Sequence, residues 1–135
     1  MRSSLNESSS RTANAGLSTA NSGPVRVEMA NDTVDVQPAE TTATVTVHRK
    51  GSLHGDASFT WWTESGTAKP GKDFAAAIPR VEKIEDGSRS VILNIPVSKG
   101  PRTQAKSFYV VIDRTDAGPA LGERNLTMVT LQPGE

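Results

Sequence analysis

Apolar and polar residues alternate in segment after segment between residues 25 and 131, and turns rich in Gly, Pro and Asp separate those segments. A period of two marks a strand with unlike faces. Its recurrence at turn-separated spacing, with no helical periodicity, predicts an antiparallel Ig-like β-sandwich of about seven strands. Val25, Val27 and Met29 open the pattern, Val34 and Val36 continue it, and Pro38 interrupts. A proline there suits a first strand that switches between sheets. Thr42 to Arg49 reads as a strand with Ala43, Val45 and Val47 on one face and Thr44, Thr46 and His48 on the other. Ala57 to Thr63 follows, then short extended pieces around Ile78 and Val81 to Ile84, and a turn at Asp86-Gly87. Ser88 to Val97, Ser107 to Asp113 and Leu126 to Leu131 complete the set, with polar or Gly/Pro loops at Ser98 to Lys106 and Asp116 to Glu123. Ala75 to Ala77 favours helix, but so short a run does not nucleate one.

Residues 1–23 are mostly Ser, Asn, Thr, Ala and Gly, with Leu5 and Leu17 as the only leucines. They bury too little surface to offset their ordering entropy and are read as a disordered tail or linker, with the sandwich over 24–135. At 135 residues the chain holds one domain. Fifteen basic side chains balance fifteen acidic ones, which argues against a nucleic-acid partner and against a surface drawn to anionic lipid. No apolar run is long enough to insert in a bilayer, and the first residues carry no signal-peptide pattern. With no cysteine, disulfide frameworks and thiolate metal sites are excluded.

The densest stretch is FTWWTESGTAKPGKDF, Phe59 to Phe74. Its word T-x-x-G-T-A-x-x-G-x-D-F, carried by Thr63, Gly66, Thr67, Ala68, Gly71, Asp73 and Phe74, resembles the signature of the Calx-beta family. V-x-V-x-R-x-G at Val45, Val47, Arg49 and Gly51, Leu121-Gly122, and the closing Val129, Thr130 and Leu131 extend the likeness over about Val25 to Leu131. The resemblance implies an Ig-type sandwich of the kind found in sodium–calcium exchangers, integrin β4 and bacterial surface proteins. It also implies an extracytoplasmic or membrane-anchored parent. In the exchangers, acidic loops at one end bind regulatory calcium, an ion that takes six to eight oxygens. Carried over position by position, the resemblance leaves Asp73 in place and Glu40 as a substitute two residues beyond Pro38. The remaining acidic positions fall at Ser98, Lys99, the stretch from Ala105 to Ser107, and Gln132. Lys69, Lys72, Lys99, Arg102 and Lys106 crowd the same end, and each such cation opposes a bound cation by about 1 kcal/mol or more at an effective dielectric near 20. The expectation is therefore no bound cofactor. Asp73 and Glu40 remain as metal candidates, and Asp73 is alternatively a tie for loop N–H groups or a lysine partner.

Enzyme chemistry has no positioned nucleophile and base: the two histidines, His48 and His54, read as a solvent-facing strand residue and a loop residue, and G-x-S-x-G and H-E-x-x-H are absent. If Phe59 and Trp61 face the core, Trp62 points outward, and the outward positions of the neighbouring strands are Tyr109, Val111 and Met128. Such a face suits another protein or protein domain, and the basic loop end offers a second surface, for an acidic partner or anionic polymer. The sequence thus reads as a non-catalytic binding or spacer module of a larger protein, with a calcium-regulated domain as the alternative.

Overall fold

The computed structural model describes residues 24–135; the expected tail, 1–23, lies outside the described residues. Among the described residues nine strands form two sheets: β1 (Arg26–Met29), β2 (Thr33–Val36), β3 (Thr42–Lys50), β4 (Ala57–Ser65), β5 (Arg80–Ile84), β6 (Ser90–Pro96), β7 (Lys106–Asp113), β8 (Ala120–Leu121) and β9 (Leu126–Leu131). One sheet runs β6-β3-β1-β8 and the other β2-β9-β7-β4-β5. Pairing is antiparallel except for β1 with β8 and β2 with β9, which are parallel.

The count exceeds the expected seven for two reasons. The opening segment does divide between sheets, but at residues 30–32 and not at Pro38, which follows β2 in a turn closed by the Glu40 N–H on Gln37 O (3.0 Å). Two contacts fix the crossing: buried Thr127 donates its hydroxyl to Asn31 O (2.7 Å), and the Met128 N–H donates to Asp32 O (2.9 Å). The second addition, β8, lies inside the segment read as the Asp116 to Glu123 loop.

Inward positions supply the core. Val27 and Met29 from β1, Val45 and Val47 from β3, Phe59 from β4, Ile95 from β6, Phe108 and Val110 from β7 and Leu131 from β9 are essentially solvent-free. Each large apolar side chain so buried contributes roughly 1.5–3 kcal/mol. Trp61 is also in the core, with the Arg80 guanidinium 5.4 Å from its ring centroid. Its neighbour Trp62 therefore takes the opposite face of β4.

One charged side chain shares the interior end of β3. Arg49 is 4% exposed, and its guanidinium makes four bonds to backbone carbonyls. Nε donates to Ser88 O (2.8 Å), Nη1 to Gly55 O (2.6 Å), and Nη2 to both Leu53 O (2.8 Å) and Glu85 O (2.9 Å). A single planar fork thus ties the β3–β4 turn to the β5–β6 turn, a geometry that lysine cannot reproduce.

Candidate functional site

All seven residues of the T-x-x-G-T-A-x-x-G-x-D-F word contribute to fastening the β4–β5 connection. Thr63 Oγ1 accepts from the Ala77 N–H (2.8 Å), bringing the far end of the connection back to β4. Gly66 lies where a Cβ would stand 2.5 Å from Ser107 O, so only glycine permits the close approach to β7. Thr67 Oγ1 accepts from the Ser107 N–H (2.8 Å), and the buried Ala68 donates its N–H to Ser107 O (2.9 Å). Gly71 takes φ +83° and closes onto Phe74 O (2.8 Å). Phe74 stacks on Phe108 with centroids 4.0 Å apart and planes within 5°.

Asp73 is 7% exposed and occupied from both sides: Oδ2 accepts from the Lys69 N–H (2.8 Å), and Oδ1 stands 3.5 Å from Lys106 Nζ. Glu40 closes a separate turn by accepting from the Gln37 N–H (2.7 Å). Among the described residues no three His, Cys, Asp or Glu side chains converge as a metal site would need.

Beside Asp73 opens a cleft of about 520 Å³ whose lining includes Lys72, Ser98, Lys99, Arg102 and Lys106. Four of the five basic residues singled out in the sequence therefore share one cavity; Lys69 lies on the same loop but does not line it. Arg102 is held from several directions. Its Nε donates to Gln132 O (3.0 Å), Nη1 donates to Ser98 O (3.0 Å), and its backbone pairs both ways with Gly134.

The outer face of the five-stranded sheet carries the apolar group read from the sequence. Trp62 pairs across strands with Val111, and Tyr109 with Met128, so the four side chains adjoin on β4, β7 and β9. All four are half-buried, and Trp62 Nε1 donates to Glu64 Oε2 (2.6 Å). Two residues that the sequence reading did not assign to this face extend it: Leu126, opposite Val111 and 44% exposed, and Val81, opposite Thr60 and 62% exposed. Alternation places both outward, and the pairing order supplies their adjacency.

His48 does not stand alone in solvent. Its Nε2 lies 3.2 Å from Glu28 Oε2, and Glu28 is 2% exposed although alternation puts it on the outer side of β1. The segment around Gly122 folds over it, with the Glu123 N–H donating to Glu28 Oε1 (3.3 Å) and Lys50 Nζ and Arg124 Nη1 at 3.4 and 3.7 Å from Oε2. Asp32, 3.2 Å from Arg124 Nε, is the second carboxylate of the group. Burial pushes the Glu28 carboxyl up, but the contacts from His48, the Glu123 N–H and Lys50 outweigh it and hold the pKa below its ordinary 4.5. A carboxyl lowered by folding gives stability that is complete above the unfolded-state pKa and is lost as pH falls through the folded one. Denaturation midpoints are therefore expected to decline with acidification below pH 4.5, and Glu28→Gln to flatten that part of the profile. A profile of unchanged shape in the variant would show that Glu28 is not a source of the acid lability. His54 is exposed in the β3–β4 turn.

Comparison with known proteins adds a family and a fold. A model described as the Calx-beta domain matches residues 21–134. The structure of the apo-form Calx CBD1 domain superposes with a TM-score of 0.69 at 19% identity, over 84% of this chain and 100% of that one. The calcium binding domain CBD12 of CALX1.1 gives 0.72 at 21%, over 80% of this chain and 44% of that one, and the Calx CBD2 domain 0.70 at 16%, over 81% and 86%. No curated protein sequence matches the chain.

Proposed function

The chain is a member of the Calx-beta family, and we propose that it is a non-catalytic binding module of a larger protein, meeting another protein through the outer face of β4, β7 and β9. The observation that carries this reading is the contiguous set Trp62, Tyr109, Val111 and Met128 on one sheet face. Trp, Tyr and Met are the types enriched at interface cores, and a rigid sheet presents them at little cost in ordering entropy. Balanced charge leaves such a contact to shape and apolar area in preference to long-range attraction. Family likeness supports a parent outside the cytoplasm or at a membrane; among the described residues no helix is long and apolar enough to cross a bilayer.

Calcium regulation is the competing reading, because the similar structures include a calcium binding domain. Against it stand the two contacts that occupy Asp73 and the cations around it. Millimolar calcium is expected to leave the melting midpoint unchanged, since an ion that binds only the folded state would raise it. A rise of several degrees would favour the competing reading. For the contact face, Trp62→Ser is expected to cost no more than about 1 kcal/mol of stability, as for a side chain outside the core. A photo-crosslinking residue at Tyr109 in the parent protein should capture a discrete protein species, while one at Thr44, on the outer side of the other sheet, should not. Equal capture at the two positions, or none at Tyr109, would overturn the assignment.

A further inference from the structure

We propose that the basic cleft is a site for a phosphate- or sulfate-bearing small ligand, independent of the sheet face above. Lys72, Lys99, Arg102 and Lys106 line one cavity with Asp73 as its single carboxylate, and Asp73 is already taken by Lys106 and the Lys69 N–H. Among the described residues, Lys72, Lys99 and Arg102 have no carboxylate within ion-pair distance.

The second observation is more specific. Arg102 is fixed through Nε and Nη1, yet among the described residues its buried Nη2 has no hydrogen-bond partner. A buried donor without an acceptor is uncommon and calls for an explanation, and an anionic oxygen is the acceptor that bonds a guanidinium most strongly. A tetrahedral oxyanion presents several acceptors on one centre, matching donors that arrive from separate elements: Lys72 from one loop, Lys99 and Arg102 from another, and Lys106 from the start of β7. The cavity of about 520 Å³ is larger than a bare ion needs and falls within the roughly 300–1,000 Å³ of small-molecule sites, so the anion is read as one group of a larger molecule. The same side chains that disfavour a cation at this pole make it attractive to an anion.

The test titrates the whole chain with inorganic sulfate and phosphate against chloride at matched ionic strength, following the melting midpoint and the Arg102 Nε–H resonance. Sulfate also stabilises folded proteins by exclusion from their surfaces, so the reading is the difference between wild type and the Lys72→Ala/Lys99→Ala variant. Both substituted residues are exposed, and the variant should fold. Expected is a saturable rise several degrees larger in the wild type, with a shift of the Arg102 resonance that chloride does not produce. Glucose 6-phosphate and glucose 6-sulfate, compared in the same assay, distinguish the two sources of the oxyanion. Equal responses in wild type and variant, or an Arg102 resonance indifferent to all four anions, would overturn the proposal.

Discussion

Arg49→Met is expected to lower the stability of the domain by roughly 3–5 kcal/mol, seen as a fall of well over 10 °C in melting midpoint. The methionine keeps most of the apolar stem, so the loss reports the guanidinium. Four carbonyls from two turns converge on that group, and among the described residues no carboxylate lies within ion-pair distance of it. Hydrogen bonds to a charged donor are each worth about 1.5–3 kcal/mol, and a buried acceptor left alone incurs its desolvation penalty as well. The four values do not add, because turn carbonyls freed from the clamp regain water; this keeps the estimate well below their sum. Arg49→Lys should recover less than half of the loss, since one ammonium cannot span acceptors on both turns. Urea and thermal unfolding of the three proteins measure the series. A loss under about 1 kcal/mol for the methionine variant would mean that the turns hold their shape without the clamp.

Arg49 also marks how far residue patterns reach. Alternation along Thr42 to Arg49 assigned the faces of β3 correctly, and the Trp61-Trp62 pair fell on the sides that period two requires. The failures have physical sources. Val25, Val27 and Met29 are odd-numbered and Val34 and Val36 even-numbered, a change of phase that signals the crossing at residues 30–32. Proline, a breaker by itself, drew the break to the wrong place. Strand β8 has two residues and exists because β1 offers it a parallel edge, a long-range condition with no local pattern. Glu28 obeyed alternation yet is buried, because Gly122 crosses above it where a Cβ would come within 2.0 Å of its Oε1. The orphaned Nη2 of Arg102 likewise depends on contacts with Gln132, thirty residues away. Motif words located the connection that is fastened to β7: its aspartate and glycines make close contacts to that strand and to the loop itself.

That fastening sets the second large effect. Phe74→Ala is expected to cost roughly 3–5 kcal/mol, the range for removing a buried aromatic side chain. Phe74 is 3% exposed and stacks on Phe108 of β7 in one sheet, while its backbone bridges to Val97, just past β6 of the other. The adjoining bonds from Ala75 N–H to Pro96 O (2.9 Å) and Ser98 N–H to Asp73 O (2.8 Å) continue the same seam. Loss of the ring therefore loosens the join between the sheets as well as leaving a cavity. Phe74→Leu fills most of the space and should cost about 1–1.5 kcal/mol. A double-mutant cycle with Phe108→Leu should return a coupling of about 0.5–1.5 kcal/mol for the stacked pair. Hydrogen exchange separates the two contributions: in Phe74→Ala the amides of Asp73 and Ser98 should lose protection well beyond the global change, whereas Val45 and Val47 should follow it. Uniform loss of protection would show Phe74 to be ordinary core. Because Lys72 and Asp73 line the basic cleft and precede Phe74 directly, the alanine variant should also lose the oxyanion response even at temperatures where it remains folded.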